Sequence, residues 1–230
     1  MGLVRLVTTL FLSMLLWISR RSGVGAVERR PKPAVPAVFV FGDSTVDPGN
    51  NNFIGTAFRS DFSPYGQNLP NHKPTGRFSD GRLVTDFIAG YAGVKDFIPP
   101  YLDPKLSLDD LMTGVSFASA GSGFDPLTPK ISRTLSLPEQ LGYFREYKSR
   151  LVRKIGKART DELISKAVFI VSAGTNDFVV NYITLPVRRR SYTISEFEKF
   201  ILQYVHQFTQ ALLNEGAKKI CPSNMLGDRR

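Results

Sequence analysis

Two stretches of this 230-residue chain share a pattern that few folds can house. Val38-Phe39-Val40-Phe41 is a continuous apolar run, β-branched and aromatic, and Gly42-Asp43-Ser44 follows at once. Val168-Phe169-Ile170-Val171 repeats the run and opens into Ser172-Ala173-Gly174-Thr175-Asn176-Asp177. A strand without polar alternation is buried on both faces, the habit of parallel strands covered by helices. Polar residues just past the carboxyl ends of such strands lie on the edge where open α/β sheets bind ligands. A third stretch, Val115 to Gly123, is half apolar and ends in small residues. Together the three supply a hydroxyl at Ser44, a flexible backbone amide at Gly121 and a carboxamide at Asn176. Each has a plain alternative: a strand-to-helix turn capped by Asp43 or Ser44, a turn glycine at 121, a turn-forming Asn at 176.

Size and charge narrow the classes. At 230 residues, 42% hydrophobic and 22% charged, the chain has room for one α/β domain with a real core. A net charge of +10 would attract acidic polymers or anionic surfaces. With no helix-turn-helix, zinc pattern or interleaved aromatic-basic stripe, nucleic acid is not the expected partner. Cys221, the single cysteine, excludes an intrachain disulfide and a Cys-rich metal site. There is no internal repeat and no Rossmann or P-loop glycine pattern.

Residues 1–26 read as a secretory signal peptide, with Arg5 before an apolar core and Val24-Gly25-Ala26 as a cleavage region, so the chain is expected to be secreted and extracellular. The apolar core is short for a bilayer span, and no stable membrane insertion is expected. Residues 27–36 form a Pro-rich lead-in expected to be mobile. Residues 37–220 hold the domain, and 221–230 a divergent tail. Within the domain, Asn52 to Gly81 reads as a long loop containing His72. Arg82 to Tyr91 reads as a helix capped by Asp80, with Leu83, Phe87 and Ile88 on one face. Ser136 to Glu139 has capping-box spacing and opens a helix with Leu137, Leu141, Phe144 and Leu151 on one side and a solvated basic face on the other. Arg188-Arg189-Arg190 reads as a solvated loop. Ser195 to Glu198 suggests a second capping box, whose helix carries Phe197, Phe200, Ile201, Tyr204, Phe208 and Leu212 toward the sheet. A strand starting at Ala217 is expected to fail at Cys221-Pro222.

Four blocks, in order and spacing, resemble the plant GDSL esterase/lipases of the SGNH hydrolase superfamily. They are Phe41 to Ser44 with Asp47 and Gly49 to Asn52, Pro74 to Arg82, Gly114 to Gly123, and Gly174 to Asp177. Thr45 stands where the name motif has Leu. The resemblance implies a flavodoxin-like α/β/α sandwich of three layers with a mostly parallel sheet, its last strand and C-terminal block missing. It implies hydrolysis of carboxylic esters, of lipids or acetylated cell-wall material, through a Ser44 acyl-enzyme. The Ser44 amide, the Gly121 amide and the Asn176 side chain would be the oxyanion donors. No metal or organic cofactor is implied, and the expected partner is a small-molecule, lipid or cell-wall ester. Asp43, Asp47 and Asp177 are assigned to structural support.

The family's base is a His preceded three positions earlier by Asp, near the C-terminus. This chain has only His72 and His206, and positions 69 and 203 are Leu69 and Gln203. The sequence therefore reads as C-terminally truncated. An alternative stays open: a catalytically impaired splice or truncation product that binds acyl ligands or has no function. If His72 replaces the base, it must swing into the cleft.

Overall fold

Val38–Gly42 (β1) and Val168–Ser172 (β2) pair in parallel, with Val38 opposite Val168 and Gly42 opposite Ser172. Ile220–Pro222 (β3) adds to the far side of β2, also parallel, giving the order β1-β2-β3. These strands belong to a computed structural model that describes residues 33–222. The expected signal peptide, most of the lead-in and the tail beyond Pro222 lie outside the described residues.

Parallel pairing requires long crossovers, and helices supply them. Between β1 and β2 come Val84–Tyr91 (α1), Leu108–Thr113 (α2), Leu127–Ser132 (α3), Leu137–Ile155 (α4) and Lys157–Lys166 (α5). Between β2 and β3 come a π-helix, Asp177–Thr184, and Ile194–Asn214 (α6). The absence of alternation in β1 has the expected consequence: all five of its residues are buried. Phe39, Phe41, Phe169 and Val171 share one core with Phe144 and Leu151 of α4, Leu163 of α5, and Phe208 and Leu212 of α6. Val38, Val40 and Ile170 pack in a separate cluster with Ala89 of α1 and Ile98. The result is an α/β domain around a small parallel sheet.

The third stretch runs beside β1 without becoming a regular strand. Phe117 N donates to Val40 O at 2.7 Å and Ser119 N to Gly42 O at 3.0 Å, yet only an isolated bridge, Val40 to Ser116, forms. Ser116 O instead accepts from Tyr101 N at 2.8 Å and from the Asn50 carboxamide at 2.9 Å. Side chains and loops thus take over part of the ladder.

Several local expectations change. The cap of α1 is Leu83, not Asp80, and its Phe87 and Ile88 are exposed. Asp86 explains the rotation. It turns inward, accepting from Arg77 Nε at 3.0 Å, Ile98 N at 2.7 Å and Leu83 N at 2.9 Å. The helix thereby buries Thr85, Asp86 and Ala89 rather than its large apolar residues. The Ser136 box holds, with Glu139 accepting from Ser136 N at 2.8 Å. For α6 the box belongs to Thr193 and Glu196, two residues before the expected start; both pairs fit the spacing, and the earlier one captures the first free amides. Its stripe buries Phe197, Ile201, Phe208 and Leu212, while Phe200 stays half-buried against Tyr192 and Tyr204 half-buried against Phe200. Strand β3 continues through Cys221 and Pro222 instead of stopping before them; among the described residues it is an edge strand, where proline's missing N–H costs nothing. At the end of the lead-in, Ala34 N donates to Ala92 O at 3.0 Å.

Candidate active site

The end of β1 is shaped by Gly42. Its φ of +141° and the Ser172 carbonyl, against which any Cβ would collide, leave only glycine able to pass. Both Gly42 backbone groups are claimed by Gln140 in the first turn of α4: Gly42 N donates to Gln140 Oε1 at 2.9 Å, and Gln140 Nε2 donates to Gly42 O at 2.9 Å. The same Nε2 reaches Ser122 Oγ at 3.2 Å. One buried carboxamide therefore ties the strand end to the Ser119–Gly123 loop. Ser44 follows, half-buried, and its hydroxyl and amide make no hydrogen bond among the described residues.

The residues after Ser44 form a lattice of side chains bonded to backbone. Asp47, fully buried, accepts from the amides of Gly49, Asn50 and Ala120, each at 2.8 Å. Burial raises its carboxyl to about 6 against the pull of those amides. Asn50 donates to Ser116 O and Ala118 O, and Asn51 to Phe58 O and Ala120 O. Support was the role assigned to Asp47, and this is its geometry. Thr45, the departure from the name motif, donates to Asp43 Oδ1 at 2.8 Å and lies 2.9 Å from Ser172 Oγ, a bridge to β2 that Leu could not make. Burial pushes the Asp43 carboxyl up, against the bonds from Thr45.

Gly121 is buried with φ +87°, and a Cβ there would lie 2.8 Å from Ser132 Cβ. Its amide has no partner among the described residues. Asn176 stands just before the π-helix and donates one Nδ2 proton to Ser122 O at 2.8 Å. An amide NH2 has a second proton to give. The segments bearing Ser44, Gly121 and Asn176 are thus hydrogen-bonded to one another at one end of the sheet.

Two buried carboxylates lock the Gly121 and Asn176 segments in opposite directions. Asp177 reaches back to accept from Phe124 N at 2.8 Å, Asp125 N at 3.1 Å and the Thr128 hydroxyl. Burial lifts its carboxyl to about 7 despite these donors. Asp125 reaches forward to Arg188, accepting from Nε at 2.7 Å and from the second fork nitrogen at 2.6 Å, with Asn181 Nδ2 at 2.9 Å. Burial opposes its charge, but this fork and the other donors hold it below its ordinary value. Arg188 also lies over the Phe200 ring, 5.1 Å from its centre. The expectation of a solvated Arg188 is therefore overturned: a fully buried carboxylate outcompetes water for its guanidinium. Gln140, Asp125 and Arg188 escaped the sequence reading. The one available signal was Gln140, a polar residue on the apolar face of α4 between Leu137 and Leu141.

Neither histidine hydrogen-bonds Ser44. His72 is exposed in the long loop, its Nδ1 2.6 Å from Gln67 O, and His206 is on the exposed side of α6. Among the described residues no group of three or more His, Cys, Asp or Glu forms a metal-binding cluster, and no helix is long and apolar enough to cross a membrane. Ser44 lines neither of the two apolar cavities. One, about 660 Å³, lies between α3, α4 and α6, and one of about 270 Å³ lies beside Gly174 and the π-helix.

Chemically, this end of the sheet offers the Ser44 hydroxyl, the unbonded Gly121 amide and a second Asn176 N–H, on segments hydrogen-bonded to one another. The chain belongs to the GDSL-like lipase/acylhydrolase family, whose model matches residues 38–225. The match runs five residues beyond the expected domain end at Ile220. A GDSL esterase/lipase of Arabidopsis thaliana is 57% identical over 193 residues, covering 84% of this chain and 52% of that protein. A second from the same plant is 50% identical over 185 residues, covering 80% and 51%. A third is 43% identical over 214 residues, covering 92% and 59%. The chain spans about half the length of the curated relatives it matches.

Proposed function

We propose that this chain is a carboxylic-ester hydrolase acting through a Ser44 acyl-enzyme. The single observation that carries this reading is the free Ser44 hydroxyl at the end of β1, in a segment tied by Gln140 to the loop bearing Gly121 and through Ser122 to Asn176. In the first step Ser44 Oγ bonds to the ester carbonyl carbon, and the Ser44 and Gly121 amides and the second Asn176 proton receive the oxyanion. The carbon–oxygen bond to the alcohol then breaks, and the alcohol departs with the proton lost by Ser44. Water attacks the acyl-enzyme, freeing the carboxylic acid and restoring the serine. The leader-like residues 1–26 support secretion, and the resemblance supports lipid or cell-wall esters as substrates on a flavodoxin-like three-layer scaffold. These 230 residues contain no Asp-x-x-His.

The exposure of both histidines favours a second reading, in which the cleft binds acyl ligands without turning them over. Hydrolysis of p-nitrophenyl acetate by the folded chain decides between them. The esterase reading expects a rate well above that of Ser44→Ala, and a loss of about 10²–10³ in kcat for Asn176→Ala. Equal rates from folded wild type and Ser44→Ala would remove the acyl-enzyme.

A further inference from the structure

The larger cavity lies outside the Ser44 chemistry, and its walls are of two kinds. Phe124, Leu141 and Phe208 are among its apolar lining, and Lys130, Thr134 and the first residues of α4 supply its polar groups. At about 660 Å³ it is well within the range of about 300–1,000 Å³ usual for small-molecule sites. Thr134 is 9% exposed, and its buried hydroxyl has no hydrogen-bond partner. An orphaned donor in a cavity wall calls for an acceptor from a ligand. The lining carries one cation and one anion, Lys130 and Glu139. Glu139 is committed to Ser136, accepting from its amide at 2.8 Å and its hydroxyl at 2.6 Å, whereas Lys130 has no ion-pair partner among the described residues. The amino end of a 19-residue helix adds partial positive charge at the same place.

We propose that this cavity binds one long-chain fatty acid, its alkyl chain against Phe124, Leu141 and Phe208 and its carboxylate between Thr134 and Lys130. An apolar wall ending in a cation and an unsatisfied hydroxyl matches a single-chain amphiphile with an anionic oxygen head. The site backs onto the loop of the proposed oxyanion donors: Thr134 Cγ2 lies 3.4 Å from where a Cβ on Gly121 would be.

The test is fluorescence titration of the full chain with cis-parinaric acid, followed by displacement with palmitate and with hexadecanol. Binding requires no turnover, so failure of the esterase reading leaves it informative. Saturable one-to-one binding is expected, with hexadecanol about tenfold weaker than palmitate, and Lys130→Gln is expected to erase most of that difference. Ala211→Trp, which fills the cavity, is expected to weaken palmitate about tenfold or more. Should that variant not fold, Gln207→Trp blocks the mouth from an exposed position and decides instead. Absence of saturable binding, equal affinity for acid and alcohol, or full binding by the folded Trp variant would overturn the proposal.

Discussion

The loops that follow β1 and β2 hold the two halves of the candidate site, and they are built differently. After β1, Asp47, Asn50 and Asn51 bond almost entirely to backbone, much of it within a few residues of themselves or along the neighbouring Ser116–Ala120 segment. After β2, the chain depends on charged side chains from elsewhere: Asp177 on the Phe124–Thr128 turn, and Asp125 on Arg188. Val46 to Asn51 of the β1 loop are buried, whereas Val179, Ile183, Leu185 and Val187 of the second region are exposed. Two construction methods serve one requirement, holding polar groups still at the edge of a sheet. Each loop carries a carboxyl raised by burial, Asp47 to about 6 and Asp177 to about 7. Only the second adds an ion pair, Asp125 with Arg188, and pH separates that pair from the rest.

The largest effect is expected in the first loop. Asp47→Ala orphans three buried amides at once and should destabilise the fold by on the order of 4 kcal/mol, read as a fall in the urea midpoint. A loss below about 1 kcal/mol would mean that water or relaxation rescues those amides, and the two loops would be alike. Next comes Arg188→Ala, which strands the fully buried Asp125 charge. About 3 kcal/mol is expected, toward the low end for a broken buried pair because the Arg188 side chain is 24% exposed. Arg188→Lys sharpens the comparison: a point charge cannot reproduce the fork, so it should recover only part of the loss.

The smallest effect concerns Asp177. Its carboxyl, raised by burial from 3.8 to about 7, keeps a proton that the unfolded chain has released. Its contribution to stability is therefore fully present below about pH 4 and is lost as pH rises through about 7. Asp125 has the opposite sign: held below its ordinary value, it contributes at neutral pH and fails in acid. Asp177→Asn should flatten the decline in urea midpoint between about pH 5 and about pH 8, whereas Arg188→Ala should leave that decline in place. An unchanged decline in Asp177→Asn would assign it to Asp47, whose carboxyl is raised to about 6 with the same sign.

Legibility followed the range of the interactions. The apolar runs of β1 and β2 and the Ser136 box were readable because burial on two faces and a capping hydroxyl leave marks within a few residues. The clustering of Asp47, Asn50 and Asn51 marked a built loop, although not its partners. Gln140 and Arg188 were not readable: they bond to Gly42 and Asp125, 98 and 63 residues away, and a side chain carries no sign of so distant a partner. Helix α1 shows the limit from the other direction. Its apolar residues set a clear face, yet the inward turn of Asp86 toward Arg77 and Ile98 N decided which face is buried. A buried carboxylate without its partners costs more than a few exposed aromatics.

The sequence by itself determined an α/β scaffold with parallel strands and its family, and it nominated the residues of the proposed ester site, Ser44, Gly121 and Asn176. These depend on local propensity and on residue types that only glycine, serine or asparagine can supply. Tertiary structure alone decided that Gln140 and the Asp177 and Asp125 locks hold those segments together, that both histidines are exposed, and that a cavity opens behind Gly121. Such outcomes depend on which distant groups meet when the sheet closes, and the energies that select them arise only once water has been excluded.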